Sequence, residues 1–216
     1  MTHTIDLRIF HLLTARLCHD LVGPVGAASN GAELLSELGA EDSGDAVDLI
    51  ADSTGKAAAR LRYYRVAYGI AAGVVGTIDD ARGLAADMFS DQRFTMDWSP
   101  APAGSEKLDD TAGMLLLNML LLASEAMGRE GLLTVKVMAS GAGCRLDIQA
   151  RGEGVELDED TLAGLSATAS IEALTPRSVQ GHFTARLAEF FGATLVVEPM
   201  DQAVRFTCNL ASDRLV

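Results

Sequence analysis

The first third of the chain carries a long helical pattern that contains a single proline. Between residues 5 and 38, apolar side chains recur at the three- and four-residue spacing that forms one face of an α-helix. Pro24 removes one backbone hydrogen bond, so we predict a local bend there and a frayed turn beyond His19. The Gly, Asp and Ser residues of 39–44 predict a turn, and a second helical pattern follows over residues 45–68. The sequence thus predicts two antiparallel helices joined by a short loop.

A lone hairpin of this kind would leave its apolar stripes exposed to water. The stripes must be covered either by the rest of the chain or by a second copy of the hairpin. A dimeric four-helix bundle meets this requirement. We therefore predict an obligate homodimer that forms through residues 5–68.

The remaining sequence mixes helical and strand patterns. Residues 69–76 contain only Gly, Ala, Val and Ile, and the pattern changes after them, so we place the domain boundary there, with domains at residues 1–72 and 73–216. The second domain is predicted to be an α+β sandwich in which helices cover one face of a mostly antiparallel sheet. The predicted helices are 78–90, 107–127, 158–165 and 176–191, and the predicted strands are 93–98, 132–139, 145–150, 194–198 and 204–210.

Composition narrows the choice of partners and compartment. Acidic residues outnumber basic ones 30 to 17, and the net charge of -13 disfavours nucleic acid or an anionic membrane as a partner. The longest apolar run, residues 114–126, is too short and too often interrupted to span a membrane. Three cysteines without paired spacing indicate a reducing compartment. We therefore expect a cytoplasmic protein that does not act on a membrane.

His19 and Asp20 are adjacent on the first helix and could carry chemistry. A neutral imidazole nitrogen is nucleophilic and can accept a phosphoryl group. The neighbouring carboxylate can hold the other ring nitrogen, fix the tautomer and stabilise the imidazolium. His19 is therefore a candidate phosphoacceptor, and Asp20 is a candidate for the group that orients it. A His beside an Asp on a helix surface is more often a solvated pair without a role, and the two residues alone leave that interpretation open.

The segment around His19 resembles the phosphoacceptor helix of the ChpT family of histidine phosphotransferases through Arg16, Leu17, Cys18, His19, Asp20, Pro24, Leu34 and Leu35. The second helix is similar to that family's second helix through residues 49–51, Ser53, Lys56, Leu61 and residues 65–69. The resemblance covers the hairpin well and the second domain more loosely. The residues that we expect to contact a partner are Arg16, Cys18, Leu21, Val22, Pro24, Arg62, Tyr63 and Arg65.

The resemblance implies a dimer built like a histidine kinase, with a phosphoacceptor bundle and a degenerate ATPase-like (Bergerat) domain. Its implied function is a bacterial phosphorelay in cell-cycle control. Such a protein takes a phosphoryl group from the receiver domain of a hybrid histidine kinase and passes it through His19 to the aspartate of response regulators. The implied partners are therefore receiver domains.

The second domain departs from an active kinase at each nucleotide-binding element. Kinases have two asparagines, four residues apart, that help hold magnesium and nucleotide. Asn118 matches the first of them, but Leu122 occupies the position of the second. Ala150 replaces the aspartate that reads adenine, and residues 180–183 replace a Gly-rich loop. We expect Asn118 to be a helix cap-like or packing amide and Gly152 and Gly154 to be turn glycines. We predict no ATP, no cofactor, no resident metal and no autokinase activity, with Mg²⁺ only in the partner receiver.

Charge is distributed unevenly along the hairpin. No Lys or Arg occurs between Leu17 and Gly55, whereas Arg8 and Arg16 precede this stretch and Lys56, Arg60, Arg62 and Arg65 follow it. Folding at the turn brings these bases together and places His19 roughly opposite Tyr63. A basic surround would steer an acidic receiver to His19. An equally good interpretation is that these charges merely keep two helix faces soluble.

Two other functions remain possible from the sequence. An active histidine kinase is opposed by Leu122, Ala150 and the weakened Gly-rich loop. A dimeric adaptor without catalytic activity would leave His19 as an ordinary helix residue. Phosphoryl transfer from a phosphorylated receiver separates the adaptor from the phosphotransferase.

Overall fold

The computed structural model describes residues 6–37, 43–69, 75–99, 107–128, 130–140, 143–166 and 169–211. It contains a helical hairpin followed by a sheet with helices on one face. The helices are α1 (Leu7–Glu37), α2 (Gly44–Ala67), α3 (Ile78–Met88), α4 (Asp110–Ala126), α5 (Glu159–Gly164) and α6 (Val179–Phe190), with a 3₁₀ turn at Ile171–Ala173. The strands are β1 (Phe94–Trp98), β2 (Gly131–Ser140), β3 (Gly143–Arg151), β4 (Leu195–Met200) and β5 (Ala203–Ala211).

The predicted hairpin is present, and its first helix is continuous. α1 runs through Pro24 without a break, so the prediction of a frayed turn after His19 is wrong. α1 and α2 approach closely at Gly31, where an added Cβ would lie 2.8 Å from Cγ1 of Ile50. The predicted turn at 39–44 lies outside the described residues, except for its last two positions. The absence of a side chain at Gly31 therefore allows α1 and α2 to approach each other closely at this point.

The sheet has five strands in the order β1-β2-β3-β5-β4. β1 pairs with β2 in parallel, and the other neighbours are antiparallel. The parallel pair requires a crossover connection, and α4 lies within it. The sheet is thus mixed and mostly antiparallel, as the sequence predicts.

The core is aliphatic and is centred on α4. Leu116 and Leu120 of this helix are fully buried, as are sheet residues such as Ile148 and Phe206. The core continues into the end of the hairpin through Tyr63, Tyr64, Val66 and Ala67 of α2, which belong to the same buried cluster. The hairpin therefore packs against the second domain through α2, which lies on α3 and α4.

Candidate active site

His19 projects from α1 into solvent beside Asp20. Its side chain is 89% exposed, and its Nδ1 lies 3.3 Å from Oδ1 of Asp20. Asp20 is less accessible, with 28% of its side chain exposed. Because Asp20 engages Nδ1, the nitrogen left available to an electrophile is Nε2.

Asp20 is in turn held by two side chains of α2. The hydroxyl of Tyr64 donates a hydrogen bond to Oδ2 of Asp20. The guanidinium of Arg60 donates to the backbone carbonyl of Asp20 and also pairs with Asp91 at 2.9 Å. Burial, followed by the hydrogen bond to Asp20, raises the pKa of Tyr64 above its usual range. Tyr64 therefore remains a protonated donor at physiological pH.

Arg16 and Glu125 form an ion pair between α1 and α4. Their side chains are 16% and 22% exposed. Burial raises the pKa of Glu125 to about 7, and the charge of Arg16 opposes this rise. Arg16 was expected to contact a partner, but most of its side chain is covered by this interaction. Its main contact is with the second domain of its own chain.

A cleft of about 760 Å³ separates α1 from the second domain beside His19. Charged groups of both signs line it, including Arg177 from the segment that precedes α6. Among the described residues, its lining comprises Ala15, Arg16, His19, Asp20, Glu125, Leu157, Asp158, Thr161, Pro176 and Arg177. The phosphoacceptor candidate thus stands at a boundary to which the hairpin and the sheet domain both contribute.

Tyr63 is not at the surface. It is fully buried, and its hydroxyl donates to the backbone carbonyl of Leu117 at 2.7 Å. The prediction that Tyr63 contacts a partner is therefore wrong, because the side chain packs into the core between α2 and α4. The residues of α2 that face the His19–Asp20 pair are Arg60 and Tyr64, one helical turn apart.

The other predicted contact residues vary in exposure. Val22 is 70% exposed, and Cys18, Arg62 and Arg65 are also exposed. Leu21 and Pro24 are half-buried. A partner that approaches His19 along α1 could therefore reach most of this set without rearrangement of the fold.

Carboxylates offset the predicted basic surround. Lys56 pairs with Asp52 at 2.7 Å within α2, and Arg62 pairs with Asp87 of α3 at 3.0 Å. Arg16 and Arg60 are paired as described above. The expectation of a strongly basic half of the hairpin is corrected accordingly, since Lys56 pairs within its own helix and Arg16, Arg60 and Arg62 pair with acidic side chains distant in sequence.

The positions that correspond to nucleotide-binding elements of kinases are joined in a buried network. Asn118 is fully buried and donates to the carbonyl of Ala67 at 2.6 Å. Nε2 of Gln180 donates to Oδ1 of Asn118 at 3.1 Å, and the hydroxyl of Tyr68 donates to Oε1 of Gln180 at 2.5 Å. Asn118 is thus a packing amide, as predicted. Gly154 adopts a φ of 72°, which fits a turn glycine.

The sequence reasoning did not identify Tyr64 or Glu125. Tyr64 was missed because the register between two helices depends on packing that periodicity does not specify. Glu125 did carry a signal, since it is a carboxylate near the end of the strongly apolar helix α4. A charge in such a helix predicts a buried partner.

No metal site or membrane span is present in the part of the chain that the structure describes. Within these residues, no cluster of three or more His, Cys, Asp or Glu side chains could hold a metal ion. None of the described helices is both long enough and apolar enough to cross a membrane.

Comparison with known proteins identifies relatives over nearly the whole chain. Residues 78–203 match the family model of the histidine phosphotransferase C-terminal domain. The protein phosphotransferase ChpT of Brucella abortus (strain 2308) is 35% identical over 200 residues, which cover 92% of this chain and 93% of the relative.

Solved structures agree with this relationship. A bacterial phosphotransferase is similar with a TM-score of 0.79 and 33% identity, covering 96% of this chain and 98% of the other. The blue-light activated histidine kinase of Erythrobacter litoralis EL346 is similar with a TM-score of 0.50 and 13% identity, covering 92% of this chain and 61% of the kinase. This similarity is one of fold alone. This chain belongs to the family of ChpT-type histidine phosphotransferases.

Proposed function

We propose that this protein relays a phosphoryl group from the receiver domain of a hybrid histidine kinase, through His19, to the aspartate of response regulators. The observation that supports this most directly is the His19–Asp20 pair. The imidazole is almost fully exposed, and its Nδ1 lies 3.3 Å from a carboxylate oxygen that can hold it. An exposed, oriented nucleophile suits a reaction whose other reactant is the surface of a second protein.

The proposed reaction is a reversible in-line transfer. Nε2 of His19 attacks the phosphorus of the receiver's aspartyl phosphate, and the bond from phosphorus to the aspartate oxygen breaks. The aspartate leaves as a carboxylate with the bonding electron pair, and the ring proton stays on Nδ1 facing Asp20. Because the transition state is loose, positioning and charge stabilisation carry most of the catalysis. The partner receiver supplies Mg²⁺, and in the second half-reaction another receiver's aspartate takes the group.

We propose further that the protein binds no ATP and has no autokinase activity. The amides of Asn118 and Gln180 are hydrogen-bonded to each other, and Leu122 is fully buried. A nucleotide would have to break this network, at the cost of leaving buried polar groups unpaired. The residues present do not fit a nucleotide–magnesium complex, which disfavours the alternative of an active kinase.

A homodimer is the proposed assembly. The structure describes all 31 residues of α1, and Gly31 alone among them is buried. Leu7 and Val25 are 72% and 57% exposed, and they lie 18 positions apart. Both are therefore on one stripe, since 18 residues make about five turns. A second hairpin packed on this stripe would complete a four-helix bundle. The family relationship supports the further proposal of a cytoplasmic relay in cell-cycle control.

The test is phosphoryl transfer with purified components. The protein is incubated with a hybrid kinase's receiver domain that has been phosphorylated on its aspartate, and the modified residue is located by mass spectrometry. We expect an acid-labile, base-stable phosphate on His19. Receiver binding without any transfer of phosphate would instead identify a dimeric adaptor.

A further inference from the structure

We propose that Tyr64 is a positioning residue of the phosphotransfer site. Its hydroxyl fixes the Asp20 carboxylate, and Asp20 in turn fixes the ring of His19. The inference rests on the proposed function, because it assigns a role in the same reaction. It extends the site from two neighbouring residues of α1 to a chain of three side chains contributed by two helices.

The ring of Tyr64 is immobilised by the core. The residue is 2% exposed. Its ring stacks on Tyr68, with centroids 5.1 Å apart and planes at 19°, and meets Tyr63 edge-on with centroids 6.3 Å apart. Aromatic contacts of this kind restrict the rotamer of the side chain. The Tyr64 hydroxyl is therefore a fixed point at the inner side of α1.

The two oxygens of Asp20 have different partners. Oδ2 accepts from the hydroxyl of Tyr64, and Oδ1 lies 3.3 Å from Nδ1 of His19. The guanidinium of Arg60 holds the backbone at the same residue. Without the Tyr64 hydroxyl, the partly exposed carboxylate could rotate, and neither oxygen would be held toward the imidazole. Tyr64 thus supplies the constraint that Asp20 needs in order to orient His19.

This arrangement controls which ring nitrogen is the nucleophile. A carboxylate fixed at Nδ1 keeps the proton there and leaves the lone pair on Nε2. As the bond from Nε2 to phosphorus forms and the bond to the receiver's aspartate breaks, positive charge develops on the ring. Asp20 in its fixed position stabilises that charge. Loss of the Tyr64 hydroxyl should therefore lower the fraction of His19 in the reactive tautomer and slow transfer.

The experiment compares Tyr64→Phe with Tyr63→Phe in the full-length protein. Both changes remove one buried hydroxyl, but the Tyr63 hydroxyl donates to Leu117 and does not contact Asp20. We expect phosphoryl uptake to slow about tenfold in Tyr64→Phe, as for loss of one hydrogen bond to a charged group, and to stay near wild type in Tyr63→Phe. The ¹⁵N shifts of His19 should move toward the Nε2–H tautomer only in Tyr64→Phe.

A double-mutant cycle separates positioning from a purely structural role. If Tyr64 acts through Asp20, Tyr64→Phe should cause no further loss of rate in an Asp20→Ala background. An equal loss in both backgrounds would overturn the proposal. A wild-type rate and tautomer ratio in Tyr64→Phe would also overturn the proposal. In that case, phosphoryl transfer by His19 in the wild-type protein would still support the proposed function.

A further measurement does not depend on the folding of Tyr64→Phe. In wild type, the Tyr64 hydroxyl proton should give a downfield, slowly exchanging NMR signal that Asp20→Ala abolishes. An unchanged signal in Asp20→Ala would contradict the contact on which the proposal depends. The tautomer and hydroxyl signals are read without phosphate, so failure of wild-type His19 to accept phosphate would reject the proposed function separately.

Discussion

Arg16 of α1 and Glu125 of α4 form an ion pair in the wall of the cleft that contains His19. The pair joins the helix that carries His19 to the central helix of the second domain. Removal of one member would leave the other as a largely buried charge, which is costly. The ion pair therefore couples the position of α1 to the protonation state of Glu125.

We predict that the burial of Glu125 makes stability depend on pH, because burial raises the pKa of this carboxyl more than the charge of Arg16 lowers it. The pKa of Glu125 is raised from 4.5 to about 7 in the folded protein, so folding takes up a proton between these values. The contribution from protonated Glu125 is present below pH 4.5 and is lost as pH rises through 7. It amounts to a change on the order of 3 kcal/mol. Denaturant unfolding at several pH values should show this fall in wild type and not in Glu125→Gln.

Glu33→Gln provides the matched control for removal of a charge, because Glu33 is exposed on α1. If the difference in unfolding free energy between wild type and Glu125→Gln stays constant from pH 5 to 8, the prediction that Glu125 makes stability depend on pH is wrong.

His19→Ala should abolish phosphoryl uptake while the dimer and receiver docking remain. The side chain is 89% exposed, and Ala is a good helix former, so the change carries no packing penalty. Radiolabel uptake from a phosphorylated receiver measures the loss, and circular dichroism checks the fold. Phosphate incorporation at the wild-type level would show that another residue is the acceptor.

Asp20→Ala should still transfer phosphate, but more slowly. Loss of a group that assists proton placement typically costs about 10²–10⁴-fold in rate. Single-turnover uptake measured over a pH series gives the rate for the variant and for wild type. A rate equal to that of wild type would remove Asp20 from the mechanism.

Val25→Glu should weaken the homodimer. Val25 lies six residues from His19, which places it about 120° away around α1. Asn30→Glu is the matched control, because it adds the same charge about 20° from His19 around the helix. Sedimentation velocity at micromolar concentration should detect monomers only in Val25→Glu. A wild-type dimer in Val25→Glu would show that this stripe does not form the interface.

Addition of ATP and Mg²⁺ should leave the melting temperature unchanged. A ligand that binds only the folded state raises the melting temperature once its concentration exceeds its dissociation constant, and the hydrogen bond between Asn118 and Gln180 opposes such binding. Differential scanning calorimetry with millimolar nucleotide provides the measurement. A concentration-dependent rise in melting temperature would restore the kinase alternative.

Periodicity predicted the described elements of this fold to within a few residues. α1 was expected at 5–38 and lies at Leu7–Glu37, and α4 was expected at 107–127 and lies at Asp110–Ala126. Such patterns are informative because each element buries one face along its whole length. The His19–Asp20 contact was likewise predictable, since adjacent residues need no tertiary information to meet.

Contacts between distant segments could not be predicted in the same way. Tyr63 was expected opposite His19, whereas the tyrosine that reaches the site is Tyr64, through its hydrogen bond to Asp20. This shift of one residue exchanges a core side chain for a site side chain. The pairing of Arg60 with Asp91 likewise depends on how α3 packs against α2. Charge counts along the sequence overestimated the basic character of the site, because they could not include partners brought in by folding.

The contacts of α1 also bear on how the protein is made. Arg8 at its start donates to the carbonyls of Ile171 and Leu174, which lie 163 and 166 residues later in the chain. At typical ribosomal speeds these residues are synthesised roughly 8–33 s after Arg8. α1 thus leaves the ribosome well before the segment that covers its start, and chaperones would have that interval in which to bind its bare apolar stripe.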